Sequence, residues 1–402
     1  MGKYIFLTGL YLPKPGATGM CVHQLAKEAA KRGHDVTTIC YEDGDETSEF
    51  DDVKVIKIPI PGFLRENRVN SAFVNRVNQI RSILSKLIHI REYPLRSLSV
   101  VKCYCNELEK LIVEGETTIV ASVNPLEAVI AADRIKHRYG DKVKTVYYCA
   151  DTLSNEKGDS GILPAEYRTK CGLRWEKKLF SSFDLIMIME CHKEHYYGDY
   201  FSAFKSKMKI VNFPLLSRVN ATRSNTEGEK VKFVYAGSLY KQLRNPQYLC
   251  DVLVILSQEI DMGCVFLGGG DCSPIINSAN SNSNGAIRYI GMQPHSVAMQ
   301  LIYDADILLS IGNAESPMAP SKIYEYMSTG KPIIHTYTYD RDPCIEPLKK
   351  YGNAMLLKDG DSDGIEKIRA FVSNRKQLKF EDVKKNFESS TPGYSVDLIE
   401  SI

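Results

Sequence analysis

Apolar residues gather in short runs along this chain, and between the runs they recur three and four residues apart, the spacing of one helix face. Residues 4–10 form the first run. A loop with Pro13, Pro15, Gly16 and Gly19 follows, and Val22, Leu25, Ala26 and Ala29 then predict a helix over 20–32, closed by Gly33. Residues 35–40 (DVTTIC) return to β-type composition. Strand, loop, helix, strand is the βαβ unit of a parallel sheet. The pattern repeats, with strands predicted at 53–58, 118–123, 144–149, 184–189 and 210–213. Helices are predicted from Pro125 through Ala132 and ending over 175–182. One doubly wound domain over 1–214 accounts for this half.

Residues 215–230 lose the periodicity and read as a linker. Alternation restarts with a strand at 232–236, a helix over 246–258, and a strand at 264–267 leading into Gly268-Gly269-Gly270-Asp271. A strand at 287–290, a helix near 296–303, a strand at 307–311, a helix at 322–328 and a strand at 333–336 complete a second domain over 231–375. The stretch 278–285 (SANSNSNG) reads as an exposed loop on composition. Residues 376–402 form a tail expected to pack back on the first domain.

Composition narrows the function. The 402 residues are 44% hydrophobic and 25% charged, as in ordinary globular proteins. The 51 basic and 49 acidic residues leave a formal charge of +2, which argues against a dedicated nucleic-acid binder. Eleven cysteines without a C-x-x-C pair fit reduced thiols in a cytoplasmic protein better than a disulfide scaffold. The N-terminal apolar run is short and reads as a buried strand, not a leader. No run reaches the ~20 apolar residues of a membrane span, so membrane association would be peripheral.

Chemistry concentrates in 305–334. A strand ends in a loop that feeds a helix starting at Pro320-Ser321-Lys322. Open α/β sheets bind ligands beyond the carboxyl ends of their strands, and exposed N–H groups at a helix start suit a diphosphate. Lys322 adds a positive charge there. Glu325, a turn further, offers paired oxygens to vicinal ribose hydroxyls.

The segment P-S-K-I-Y-E-Y-M-S-T-G-K-P-I (320–333) resembles the donor-binding segment of GT-B glycosyltransferases of the glycosyltransferase 4 type. The resemblance extends to R-G-H-D-V-T (32–37), Y-A-G-S-L (235–239), G-G-G-D (268–271), R-Y-I-G-M (288–292) and A-D-I-L-L (305–309). It implies two Rossmann-like domains facing a cleft, and a retaining, metal-independent transfer with no cofactor beyond a UDP- or GDP-type sugar. It further implies that Gly16, Thr18 and Gly19 line the cleft near the diphosphate and sugar. Gly237, Ser238 and Arg244 would serve the donor phosphates, Gly270 the floor of the nucleotide site, and Gly291 and Met292 the base. Ser321 and Lys322 would hold the diphosphate and Glu325 the ribose.

The sequence also departs from that pattern. The first Glu of the family's Glu-x7-Glu pair would fall at Pro317, with Glu315 two residues out of register. Ser238 stands where a cation pair should begin, leaving Arg244 or Lys241 to substitute. Alanine stands where a histidine is expected before Asp151, which makes Asp151 and Asn124, with Glu315, the candidates for the catalytic step. Cys191-His192-Lys193-Glu194-His195 offers two histidines on one helix face but no partner ligands, and no metal site is expected.

The acceptor is expected to be a saccharide or a lipid-linked molecule, as in building a bacterial surface polysaccharide or glycolipid at the inner membrane face. Residues 65–96 carry seven Arg or Lys against two Glu, with Val69, Phe73, Val77, Ile80, Leu84 and Leu87 at helical spacing. Such a basic amphipathic segment suits an anionic surface or acceptor. Two rival readings keep the fold: a nucleotide-sugar 2-epimerase, and a non-catalytic nucleotide-sugar-binding subunit.

Overall fold

The computed structural model describes residues 2–13, 15–42, 44–61, 77, 80–81, 84–85, 89–154, 163–218, 230–314 and 320–402. The chain divides into two compact units, one of residues 1–214 with 392–402 and the other of residues 215–391. The predicted linker therefore starts inside the second unit, and most of it lies outside the described residues. The predicted tail divides at 391/392, with only its last eleven residues in the first unit.

The first unit is built on eight strands: β1 Lys3–Leu7, β2 Asp35–Tyr41, β3 Glu49–Phe50, β4 Val53–Ile58, β5 Thr117–Ser122, β6 Val143–Cys149, β7 Leu185–Met189 and β8 Met208–Val211. Their order across the sheet is β3-β4-β2-β1-β5-β6-β7-β8. All pairings are parallel except β3 with β4. Helices cover the sheet, so the central strands are largely buried on both faces, with Ile119, Val120, Ala121, Val146 and Tyr147 in the core. The first helix, Ala17–Lys31, ends where Gly33 takes φ +88°, a backbone state L side chains resist.

The closing helix Pro392–Glu400 lies against that first helix. Arg32 donates to Asp397 at 2.6 Å, Glu400 at 2.8 Å and the Gly393 carbonyl at 3.0 Å, and His34 Nε2 lies 2.8 Å from Glu400.

The second unit has six strands: β9 Val231–Ala236, β10 Met262–Leu267, β11 Ile287–Tyr289, β12 Ile307–Ile311, β13 Ile333–Tyr337 and β14 Ala354–Lys358. All pairings are parallel, in the order β11-β10-β9-β12-β13-β14. The core gathers Phe233, Leu253, Cys264, Phe266, Ile276, Ile307 and Leu309 between sheet and helices.

One expectation fails. Residues 278–285 are not a loop throughout, because a helix spans Ser273–Asn282 and buries Ile276 and Ala279. Proline in its first turn and two apolar contacts override a polar composition. The polar side chains then serve the turn. Asn280 Nδ2 donates to the Ile287 carbonyl at 2.6 Å, and Ser283 Oγ accepts from Ile287 N at 3.1 Å.

Candidate functional site

In each sheet the strand order reverses direction once, between β1 and β5 in the first and between β9 and β12 in the second. Ligands of doubly wound sheets bind beyond the carboxyl ends of strands at such a point. In the second unit, the loops after β9, β10 and β11 stay hydrogen-bonded past the strand ends. Gly237 N donates to Leu267 O at 2.9 Å, Leu239 N to Gly269 O at 2.8 Å, Asp271 N to Leu239 O at 3.0 Å and Gly268 N to Gly291 O at 2.9 Å.

Two glycines make that seam possible. A Cβ on Gly268 would stand 1.9 Å from the Gly237 carbonyl oxygen, and one on Gly270 would stand 1.8 Å from that of Leu239. Gly270 is therefore demanded by main-chain packing, whatever else it meets. Gly269 faces elsewhere. Its Cβ would lie 3.5 Å from Met292 Sδ and 4.0 Å from Ser238 Oγ, so three loops converge on one face. Met292 is 74% exposed there, unusual for a large apolar side chain, and Gly291 before it has φ +68°.

Arg244 joins the strands on either side of the reversal. Its Nε donates to Asn313 Oδ1, two residues past β12, at 2.6 Å, and its Nη1 reaches the Ser238 carbonyl at 3.4 Å. The main chain repeats the link, with Ala314 N donating to Leu243 O at 2.8 Å. Beneath lies Tyr235, whose hydroxyl burial pushes up to about 12 against the opposing pull of Arg244.

Ser321, Lys322 and Glu325 sit at the start of the helix Lys322–Ser328. With seven residues and no side-chain cap, that helix supplies little dipole. Nor does Lys322 present a lone charge, since its ammonium lies 3.0 Å from Glu325, which is buried to 7% exposure. The residues expected to hold diphosphate and ribose hold each other here. The helix is fixed by Tyr326, whose hydroxyl accepts from Ala236 N at 2.8 Å and donates to Ala236 O at 3.3 Å. Sequence reasoning missed Tyr326; its signal was an aromatic next to Glu325 on a helix otherwise read for charge. Glu315 lies outside the described residues.

In the first unit, Asn124 follows β5, and its carbonyl accepts from Gly9 N at 3.1 Å. Gly16 caps the helix Ala17–Lys31, and Thr18 is partly exposed in its first turn. A Cβ on Gly19 would meet the Leu10 carbonyl oxygen at 2.0 Å, so packing alone requires that glycine.

Asp151 follows β6 in a partly buried position, and burial raises its carboxyl above the ordinary range. The loop behind it hangs on Glu176, a fully buried residue the sequence did not single out. Glu176 accepts from Leu153 N at 2.7 Å, Ser154 N at 3.3 Å, Tyr196 Oη at 2.7 Å and the Ser154 hydroxyl. Gly172, a turn earlier on the same helix, lets the loop in, since a Cβ there would stand 2.2 Å from the Leu153 carbonyl oxygen. His195 is used by the same loop, with Nε2 2.8 Å from Ser154 Oγ.

The segment 65–96 lies largely outside the described residues. Of its described apolar positions, Ile80 and Leu84 are half exposed. Among the described residues no helix is long and apolar enough to cross a membrane. None of the eleven cysteines is in a disulfide.

Two Rossmann-type parallel-sheet domains in one chain define the GT-B fold, and solved structures with that fold match this chain over its full length. No family model and no curated protein matches the sequence. Anabaena HepE, solved in complex with UDP and glucose, aligns at TM-score 0.61 and 15% identity, covering 100% of both chains. WaaG, a glycosyltransferase involved in lipopolysaccharide biosynthesis, aligns at 0.53 and 14% identity, over 98% of this chain and 99% of its own. The catalytic domain of Arabidopsis starch synthase IV, bound to ADP and acarbose, aligns at 0.57 and 13% identity, over 100% and 99%. At these identities the likeness shows the fold alone.

Proposed function

We propose that this chain is a glycosyltransferase that takes a sugar from a nucleoside diphosphate donor held by its second unit. The observation that carries the reading is the convergence of Ser238, Gly269, Met292 and Arg244 at the β9/β12 reversal. HepE with UDP and glucose, and starch synthase IV with ADP and acarbose, support a nucleotide ligand and make UDP the first donor to try.

In this reading the base lies over Gly291 and Met292, and Arg244 meets the phosphates. The diphosphate draws Lys322 away from Glu325 and, with Ser321, holds it; the released carboxylate accepts from the ribose hydroxyls. As the sugar–oxygen bond breaks, the bonding pair stays on the diphosphate. Fixed cations that meet that growing charge lower the barrier without having to reorganise. Asp151 and Asn124 are the residues proposed for the acceptor step, with Glu315 as a further candidate. Gly16 and Thr18 are proposed for the sugar. The proposed acceptor is a saccharide or lipid-linked molecule, the proposed outcome retention of anomeric configuration, and the proposed setting the inner face of a membrane reached through residues 65–96.

Calorimetry with UDP, GDP and ADP on the intact chain and on Arg244→Ala tests the donor site. Tight binding of one diphosphate, weakened at least ~10-fold in the variant, is expected for loss of a charge-assisted contact. Equal binding by both proteins removes the proposed site. Incubation with the matching nucleotide sugar, with and without a saccharide acceptor, then separates transfer from isomerisation of the donor alone and from binding without turnover.

A further inference from the structure

A second cluster of reactive side chains lies on β13 and in the turn that follows it, among residues not assigned to the nucleotide. His335 on β13, and Asp342 and Cys344 in the turn before the helix Ile345–Tyr351, are all buried. One ligand atom from each lies within 4.8 Å of the other two.

The polar bookkeeping of this cluster is incomplete. His335 Nδ1 is engaged with Ser310 Oγ at 2.9 Å, and Asp342 Oδ1 accepts from Cys344 N at 2.7 Å. Their other atoms, His335 Nε2 and Asp342 Oδ2, face each other at 3.5 Å, and neither has a hydrogen-bond partner. Both side chains are fully buried. A proton shared between them would draw the atoms to about 2.8 Å. Two ligands at about 2.1 Å from one tetrahedral cation stand about 3.4 Å apart, close to the spacing found.

Two further features are built around that space. The bond from Cys344 N fixes the carboxylate so that Oδ2 points at the imidazole. Gly312, just after β12, leaves room for it, since a Cβ there would stand 1.9 Å from Asp342 Oδ2 and 3.3 Å from His335 Nε2. The engagement of Nδ1 with Ser310 is the outer-shell bond that orients a ligating histidine.

We propose that His335 Nε2, Asp342 Oδ2 and Cys344 Sγ bind one divalent transition-metal ion of the zinc class, as a structural site separate from the proposed sugar transfer. Nitrogen, oxygen and sulfur donors together favour such an ion over magnesium or calcium. Binding expels the thiol proton to solvent. One thiolate, one carboxylate and a neutral imidazole then balance the two positive charges, so the buried site is neutral overall. A water completes the fourth position. The ion would brace Gly312, whose neighbour Asn313 orients Arg244.

The test uses the whole chain, stripped with a chelator and returned to zinc or cobalt(II). Elemental analysis should find about one tightly held equivalent of zinc per chain. The cobalt form should show a near-ultraviolet thiolate-to-metal band. Cys344→Ser should lose that band and bind zinc at least ~10-fold more weakly, a change of about 1.4 kcal/mol, while Arg244→Ala should keep both. A native chain that retains no zinc and gives no band overturns the proposal, as does a band that survives in Cys344→Ser. Should Cys344→Ser fail to fold, the native chain still decides. Nucleotide binding is measured separately, so failure of either idea leaves the other standing.

Discussion

The two sheets run through nearly the same strand order, yet their reversal points are made of different material. In the second unit, main-chain bonds extend past three strands, a guanidinium ties two loops, and a lysine–carboxylate pair stands at a nearby helix start. In the first, the corresponding loops are closed by main-chain packing at Gly9, Gly19 and Asn124, and the notable carboxylate, Asp151, stands after β6. Shared topology thus supplies the location of a site, while the side chains at the loop ends decide whether it suits an anion.

The largest effect should come from the prop behind Asp151. Glu176→Ala leaves several buried donors without an acceptor and should cost on the order of 3 kcal/mol of stability. In denaturant unfolding the loss should fall on the first unit, with diphosphate binding retained in the folded protein; a loss shared by both units would break the contrast.

Next, Arg244→Ala should weaken diphosphate binding by about 2 kcal/mol with little change in melting temperature, seen by calorimetry beside a thermal scan. If stability falls and binding does not, the guanidinium is a strut and the second unit resembles the first.

Tyr326→Phe removes a hydroxyl that both accepts from and donates to Ala236, and should cost about 1 kcal/mol. The cost should appear in unfolding, with a smaller loss in nucleotide binding as the helix bearing Lys322 and Glu325 loosens.

The smallest effect sharpens the comparison through pH. Burial raises the Asp151 carboxyl, so the folded chain binds that proton more firmly than the unfolded chain does. Stability from this group is intact below the ordinary aspartate value of about 4 and is lost as pH climbs through the raised one. Asp151→Asn should therefore match the native chain near pH 3 and exceed it at pH 7, while transfer activity falls if the carboxylate takes part. Equal pH profiles would show that Asp151 is not held in a desolvated position.

Much of this was legible in the residues. Val53–Ile58, Ile307–Ile311 and Lys322–Ser328 fall where apolar runs and turn residues put them, because parallel strands buried on both faces leave a plain signature. What was missed is of two kinds. The elements after residue 340, such as β14 and the helix Ile345–Tyr351, went unread because no motif marks them, although they are as long as Ile307–Ile311 and Lys322–Ser328. The other omissions are partnerships: Lys322 with Glu325, Glu176 with a loop over twenty positions away, and His335 with Asp342 and Cys344. A sequence shows that a carboxylate exists; only folding decides what it faces. The serine–asparagine stretch erred the other way, since Ile276 and Ala279 outweighed their polar neighbours.

The return of Pro392–Glu400 to the helix Ala17–Lys31 makes residues 215–391 an insertion within the unit that begins the chain. During synthesis, Arg32 and His34 meet Asp397 and Glu400 only after the whole inserted unit has emerged. The middle can therefore be excised as one uninterrupted fragment, whereas a cut after 214 strips the leading helix of its cover. Loss of Pro392–Glu400 would uncover the helix Ala17–Lys31, on the far side of the inserted unit in sequence.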